Sequence, residues 1–207
     1  MKPLPRLLAV TTDAICRAAD FEARAAAIAA AGPDSGLLVR APASSTAEHA
    51  GYAERAAAVT RRFDAMLLLH ARPDLARAVG ADAIQLRRDD LAPGDARRLL
   101  GDGWIGVAVH DRAEAEAAIA EGADFLVAGN VFETASHPGR PAKGTEWLAE
   151  LCALPRPVIA IGGITTARAA ELRRAGAWGI AAIAALWEVA DSGAATRAML
   201  AAWERAA

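Results

Sequence analysis

A pair of adjacent glycines follows an apolar run toward the end of the chain. The segment reads Pro157-Val-Ile-Ala-Ile-Gly-Gly-Ile-Thr-Thr166 and places Gly162 and Gly163 directly after a buried-looking strand. Because glycine has no side chain, an oxyanion can closely approach their backbone N–H groups. Thr165 or Thr166 has the side chain of a helix N-cap, which would put the positive end of a helix beside the turn. The segment predicts a phosphate site, although glycine could also serve only as clearance between strand and helix.

Three histidines stand where strands or loops end, and each is a candidate for moving a proton. They are His70, His110 and His137. Imidazole is the side chain best suited to proton transfer near neutral pH, but a lone histidine is often packed or hydrogen-bonded instead. His110 could equally cap or pack against its neighbours. His137 lies in the longest loop, 129–144, and a loop of that length is suited to a lid role.

A run of charges, Arg87-Arg88-Asp89-Asp90, follows another strand-like segment. Paired carboxylates could hold Mg²⁺ if another loop supplied a further oxygen donor. The same run could equally be solvated and cap the next helix. The histidines and acids show no metal-ligand spacing, and no Ser–His–Asp set can be drawn from the sequence.

The elements that must position these side chains alternate along the whole chain. Apolar runs predict strands at 7–11, 36–40, 65–70, 83–86, 105–110, 125–128, 158–161 and 179–183. Alanine-rich stretches between them predict helices at 14–31, 45–61, 73–79, 93–101, 112–121, 145–153, 166–175 and 193–205. Continuous apolar strands indicate burial on both faces, as in a parallel sheet covered by helices. The prediction is an α/β fold, a (β/α)₈ TIM barrel forming one domain over residues 1–207.

A short internal repeat supports the barrel. Val79-Gly-Ala-Asp-Ala-Ile84 matches Glu121-Gly-Ala-Asp-Phe-Leu126, and 175–180 is a looser third copy. Each copy places a glycine at a helix end before the chain enters a strand. The alternative, a doubly wound open sheet, would want a G-x-G-x-x-G turn after the first strand, where this chain reads Thr11-Thr12-Asp13.

In such a barrel the ligand site lies at the carboxyl ends of the strands. Polar residues and glycines gather at those predicted ends, among them Arg40, His110, Gly129, Asn130 and Thr134. The eighth strand ends at Ile183 and Ala184, next to the glycine pair, and barrels often build phosphate sites from these last two loops.

The bulk composition limits the partners. A net charge of −2 gives no electrostatic reason to expect nucleic acid or an anionic membrane. The sequence shows neither a leader pattern nor an apolar run of membrane-spanning length. The two cysteines have no metal or redox spacing, so a reduced cytoplasmic compartment is expected. A homodimer is compatible with the apolar composition.

Several motifs together resemble the superfamily of thiamine phosphate synthase and TenI-type thiazole tautomerase. They are Gly80-Ala-Asp-Ala-Ile-Gln-Leu-Arg-Arg-Asp-Asp90, Gly106-Val-Ala-Val-His110, Gly122-Ala-Asp-Phe-Leu-Val-Ala-Gly-Asn-Val-Phe-Glu-Thr134 and Ile161-Gly-Gly-Ile-Thr165. The resemblance covers nearly the whole chain. It implies a (β/α)₈ barrel that binds a thiazole phosphate through Gly162, Gly163, Ile183 and Ala184.

The two branches of this superfamily imply different chemistry. The synthase joins hydroxymethylpyrimidine pyrophosphate to thiazole phosphate with Mg²⁺, and its second metal aspartate corresponds to Asp90. Its first metal aspartate, two lysines and a serine are replaced here, at Ala71, Pro42, His137 and Ala108. The tautomerase relocates a proton on carboxythiazole phosphate without a metal. Gly129-Asn-Val-Phe-Glu-Thr134 is similar to its motif, except that Asn130 replaces the histidine.

The favoured hypothesis is therefore a TenI-type tautomerase without a cofactor. His110 or His137 would move the proton, Arg40 would hold the ligand carboxylate, and Asn130 would orient the ring. Gly129, Thr134 and Ser136 would line the ligand. The alternatives are a Mg²⁺-dependent synthase using Arg87, Arg88 and Asp90, and a silent binder of thiazole phosphate.

Overall fold

The computed structural model describes residues 2–134 and 139–206. Its eight strands are β1 (Leu7–Val10), β2 (Ser35–Val39), β3 (Met66–His70), β4 (Ala83–Leu86), β5 (Trp104–Val109), β6 (Phe125–Ala128), β7 (Val158–Ile161) and β8 (Gly179–Ala182). Its helices are α1 (Asp13–Arg17), α2 (Phe21–Ala29), α3 (Thr46–Phe63), α4 (Pro73–Val79), α5 (Pro93–Leu100), α6 (Arg112–Ala120), α7 (Gly144–Cys152), α8 (Thr166–Arg174), α9 (Ala184–Trp187) and α10 (Ser192–Glu204).

The strands form a closed parallel barrel in sequence order, β1 through β8, with β8 pairing back to β1. The predicted (β/α)₈ fold is thus confirmed and the open sheet is wrong. Alternate strand residues face opposite sides of the barrel wall, as the two-residue period of a strand requires. On β1, Leu8 and Val10 belong to the cluster inside the barrel, whereas Leu7 and Ala9 pack toward the helices.

The predicted element bounds agree with the structure to within one or two residues except at two places. The helix predicted over 14–31 is two helices, because the backbone of Ala18 is extended and α2 starts anew at Phe21. The chain after β8 forms the four-residue helix α9, which the prediction missed. The two places meet in the fold: Phe21, at the start of α2, and Trp187, at the end of α9, are buried and their rings stack at 5.7 Å.

The repeated Gly-Ala-Asp turns are confirmed as structural devices at the amino-terminal end of the barrel. Gly80 and Gly122 have φ values of +66° and +99°, which favour glycine. Asp82 then accepts a hydrogen bond from the backbone N–H of Leu67 at 2.9 Å, and Asp124 accepts one from Ile105 at 2.8 Å. Each repeat therefore ties a new strand to its predecessor, which leaves the other end of the barrel for the ligand.

Two indole rings lie across the amino-terminal end of the barrel. Trp104 and Trp178 donate from Nε1 to the carbonyl oxygens of Lys2 and Leu4, at 2.9 and 3.1 Å. The guanidinium of Arg6 lies over the Trp178 ring, 3.8 Å from its centroid.

No helix in the described ranges has both the length and the apolar character needed to cross a bilayer.

Candidate functional site

A cleft of about 850 Å³ opens at the carboxyl ends of the strands, and all eight strands or the loops after them contribute to it. Most of the predicted site residues line it: Arg40, His110, Gly129, Asn130, Thr134, Gly162, Gly163, Ile183 and Ala184. Ser136 and His137 lie outside the described residues. Asp90 is not among the residues that line the cleft, although Arg87, to which it is bonded, does line it.

The glycine pair forms one wall of this cleft. Gly162 and Gly163 have φ values of +102° and +65°. The turn is held against the loop after β6, since Val131 and Phe132 donate backbone hydrogen bonds to the carbonyls of Ile161 and Gly162 at 3.0 and 3.1 Å. A Cβ on Gly162 would lie 2.5 Å from the Cβ of Asn130. The glycines therefore provide clearance, and the nearest contacts that they avoid are with the neighbouring loop.

Backbone N–H groups on this wall are available to a ligand. In the described part of the chain, the amides of Gly163 and Ala184 have no protein acceptor. Thr165 occupies the N-cap position of α8, as predicted, but its hydroxyl makes no capping bond. The side of the cleft between β7 and β8 thus presents unpaired donors and the start of a nine-residue helix, a combination suited to an anion.

Arg168 adds a positive charge to the same wall. Its Nη1 donates to the carbonyl of Gly163 at 2.6 Å, and its guanidinium lies 4.1 Å from the centroid of the Phe132 ring. Sequence reasoning missed this residue. Its place on the first turn of α8, three residues after Thr165, is the signal that could have identified it, because that turn faces the glycine loop.

Two histidines line the opposite part of the cleft in different environments. His70 ends β3 and is buried, and burial, with the neighbouring Arg40 charge, lowers the pKa of its imidazole from 6.5 to about 4. His70 is therefore neutral at physiological pH. The His110 side chain is 45% exposed, and its Nδ1 lies 3.1 Å from a carboxylate oxygen of Glu114. Asp111, not His110, caps α6.

Glu114 was also missed by the sequence prediction, although its spacing of four residues from His110 could have suggested the contact. Its second carboxylate oxygen accepts from Arg88 at 3.0 Å. Partial burial raises the pKa of the Glu114 carboxyl, but hydrogen bonds from the backbone and ring of His110 outweigh this and lower it. Glu114 is therefore ionised beside the imidazole.

Asn130 is 9% exposed and fixed by its own loop. Its Nδ2 donates to the carbonyl oxygens of Phe132 at 3.2 Å and Arg140 at 3.4 Å. Because both amide donors point into the loop, the side-chain oxygen is the atom left for a ligand. An amide of this kind can accept a hydrogen bond but cannot transfer a proton near neutral pH.

Arg40 and Arg140 line the cleft without an acceptor for their guanidinium groups among the described residues. By contrast, Arg87 is engaged by Asp90, and Arg88 by Glu114. The unengaged cations are therefore the ones available to an anionic ligand.

The residues around Asp90 do not fit a Mg²⁺ site. Asp90 accepts from the backbone N–H of Arg87 at 2.7 Å and from its Nη2 at 2.9 Å. Burial raises the pKa of the Asp90 carboxyl, but these hydrogen bonds outweigh it and lower the pKa. His70 and Ala71 supply no second carboxylate, and no group of three or more His, Cys, Asp or Glu side chains could hold a metal within 2–134 and 139–206.

These features define a (β/α)₈ barrel whose cleft carries backbone donors and a guanidinium between β7 and β8, and a histidine–carboxylate pair across from them. The sequence model of the thiamine monophosphate synthase (TMP-TENI) family matches residues 7–186. The chain belongs to this family, as its motifs predict. The match covers both branches and does not single out the tautomerase.

Similar proteins agree with this placement. Thiamine-phosphate synthase of Mycolicibacterium gilvum is 40% identical over 141 residues, which are 67% of this chain and 60% of that protein. Thiamine-phosphate synthase of Thermus thermophilus is 39% identical over 149 residues, 70% of this chain and 71% of that protein. The structure of thiamine phosphate pyrophosphorylase from Pyrococcus furiosus has a TM-score of 0.84 at 30% identity, covering 97% of this chain and 96% of that one.

Proposed function

We propose that this protein binds a thiazole phosphate in its cleft and acts in thiamine biosynthesis. The observation that carries the proposal is the wall between β7 and β8. There Gly163 and Ala184 present backbone donors without protein acceptors among the described residues, and Arg168 supplies a positive charge. Family membership provides the thiazole as the phosphate's carrier. In this proposal Gly162 and Ile183 shape the wall.

For the reaction, the residues of the cleft favour proton relocation on carboxythiazole phosphate. His110 is the candidate proton carrier, because its imidazole lines the cleft and is 45% exposed. Arg40 would bind the ligand carboxylate, and the Asn130 side-chain oxygen would orient the ring, with Gly129 and Thr134 beside it. Such an isomerisation needs no metal, which agrees with the engagement of Asp90 by Arg87.

The second candidate is thiamine phosphate synthase, joining a pyrimidine pyrophosphate to thiazole phosphate. The comparisons favour it over the tautomerase, because the similar proteins at about 40% identity are named thiamine-phosphate synthase. Arg40 and Arg140, whose guanidinium groups have no acceptor among the described residues, would then face the departing pyrophosphate. Magnesium stays a prediction of this candidate alone, and the homodimer also stays a prediction.

Two assays on the same purified chain separate the candidates. In the first, carboxythiazole phosphate is the substrate and its isomerisation is followed by proton NMR. In the second, pyrophosphate release is measured from hydroxymethylpyrimidine pyrophosphate and thiazole phosphate, with and without Mg²⁺. Magnesium-dependent release would establish the synthase and reject the tautomerase. Binding of thiazole phosphate without turnover in either assay would indicate a catalytically inactive thiazole-phosphate-binding protein.

If the tautomerase is correct, His110→Gln should reduce isomerisation by about two orders of magnitude or more, since general acid–base groups contribute on this scale. Thiazole phosphate affinity, measured by calorimetry, should stay close to wild type, because the phosphate wall lies across the cleft. Wild-type turnover in His110→Gln would exclude His110 as the proton carrier.

A further inference from the structure

The His110 ring is held by one carboxylate oxygen that also binds its backbone. Glu114 Oε2 lies 3.1 Å from Nδ1 of His110 and accepts from the His110 backbone N–H at 2.8 Å. The Glu114 side chain is only 16% exposed. Since Glu114 lies in the first turn of α6 and His110 directly follows β5, this contact joins the strand end to the next helix.

A carboxylate can only accept hydrogen bonds, so the ring nitrogen facing it must carry a proton. In a neutral imidazole, a proton on Nδ1 leaves the lone pair on Nε2. His110 lines the cleft, and Nε2 is therefore the nitrogen left to accept a proton from a ligand.

We propose that Glu114 is the positioning residue that fixes this tautomer of His110. The proposal rests on the proposed function, in which His110 moves the proton. A proton would leave the ligand and form a bond to Nε2 while its electron pair stays on the ligand. The same proton would then return to another ligand atom, so the isomerisation is balanced without a co-reactant. Glu114 would stabilise the imidazolium between the two transfers.

The charges around the pair support this role. Arg88, from the loop after β4, engages the other oxygen of Glu114 at 3.0 Å and balances its charge. Asp111 is directed elsewhere, because its carboxylate accepts from the Glu114 backbone N–H at 2.8 Å. The Nδ1 side of the ring therefore faces a single carboxylate, that of Glu114. This carboxylate is held by His110 on one side and by Arg88 on the other.

The competing explanation is that Glu114 only stabilises the start of α6 by accepting the His110 N–H. That role would change the unfolding free energy without changing the tautomer. Glu114→Gln separates the two, because the shape and an acceptor for the backbone N–H are kept, whereas the negative charge that favours a proton on Nδ1 is lost. The control is Glu116→Gln, the same change two residues along α6, where Glu116 is exposed and pairs with Arg112 at 2.7 Å.

The test measures the His110 tautomer by ¹⁵N NMR on the full chain, at a pH where the ring is neutral, together with isomerisation turnover. His110→Gln identifies the resonances. We expect Nδ1–H in the wild type and in Glu116→Gln, and a shift toward Nε2–H in Glu114→Gln with turnover lowered about tenfold or more. Given an active wild type, an unchanged tautomer or an unchanged turnover in Glu114→Gln overturns the proposal.

Failure of the proposed function gives a different result. In that case wild type and His110→Gln turn over the substrate at the same rate, or neither of them turns it over. A tautomer change in Glu114→Gln would then still support Glu114 as the group that fixes the ring, and its absence would overturn that too.

Discussion

Arg168 adds a positive charge to the backbone amides of the proposed phosphate site between β7 and β8. Its guanidinium contacts the glycine turn through the Gly163 carbonyl and stacks on Phe132, so it is held in place before a ligand arrives. A held cation loses less side-chain entropy on binding than a free one, and charged hydrogen bonds are stronger than neutral ones. At the scale of single residues, we therefore expect Arg168 to contribute to phosphate affinity.

Arg168→Gln should weaken binding of thiazole phosphate by about tenfold, which corresponds to roughly 1.4 kcal/mol. The matched control is Arg174→Gln, the same loss of charge at the other end of α8, where the side chain is exposed. Isothermal titration calorimetry of both variants checks the prediction. Equal affinities in the two variants would mean that the wall binds phosphate without this side chain.

At the scale of elements, the turn between β7 and α8 depends on its contact with the loop after β6. Gly162 is needed twice, once for its φ of +102° and once because a Cβ there would collide with Asn130. Gly122, between α6 and β6, has nearly the same φ of +99°, but a Cβ there would meet nothing within 4 Å. Substitutions at the two glycines therefore distinguish the cost of backbone strain from the cost of disturbed packing between the loops.

Gly122→Ala should lower the free energy of unfolding by about 1 kcal/mol through backbone strain alone, whereas Gly162→Ala should cost about 1–3 kcal/mol more. Urea unfolding measures both. Only Gly162→Ala should also weaken thiazole phosphate binding, because it displaces the phosphate wall. If both variants lose the same stability and keep their affinity, the loop contact does not support the site.

The sequence predicted the eight strands and their order because parallel strands buried on both faces carry an uninterrupted apolar signal. It did not predict the break between α1 and α2 or the extra helix α9, where Phe21 and Trp187 meet across the fold. The local signal for the break is weak: Asp20 occupies the N-cap position of α2 but makes no capping hydrogen bond.

The sequence also indicated which residues would meet at the end of the barrel. The glycine turn, Arg40, His110 and Asn130 lie at one cleft, as expected, because strand ends in a barrel converge there. Glu114 and Arg168 were missed because each acts through a helix turn that folds back on the preceding loop, and such contacts need a structure. The engagement of Asp90 by Arg87 was not foreseen either, because it also depends on the folded loop.

At the scale of the whole molecule, two buried histidines link stability to pH. Burial lowers the pKa of His70 from 6.5 to about 4, and burial also lowers the pKa of His49. The folded protein therefore holds both rings neutral at a pH where the unfolded chain protonates them. Because the unfolded state binds more protons, stability must fall as the pH falls from about 6.5 toward 4.

His70→Gln should reduce this pH dependence. One ring shifted from 6.5 to about 4 accounts for up to about 3 kcal/mol of lost stability over that range, at about 1.36 kcal/mol for each pKa unit. Urea unfolding of wild type and variant through this pH range gives the two slopes. The stability of the variant should depend less steeply on pH, even if it is lower throughout, because only one of the two buried histidines, His49, is left. Carboxyl groups away from His70 whose pKa is lowered, such as Glu114, act at lower pH and should affect both proteins alike. Parallel slopes would show that His70 is protonated as readily in the folded barrel as in the unfolded chain, and that the cleft around it is open to water.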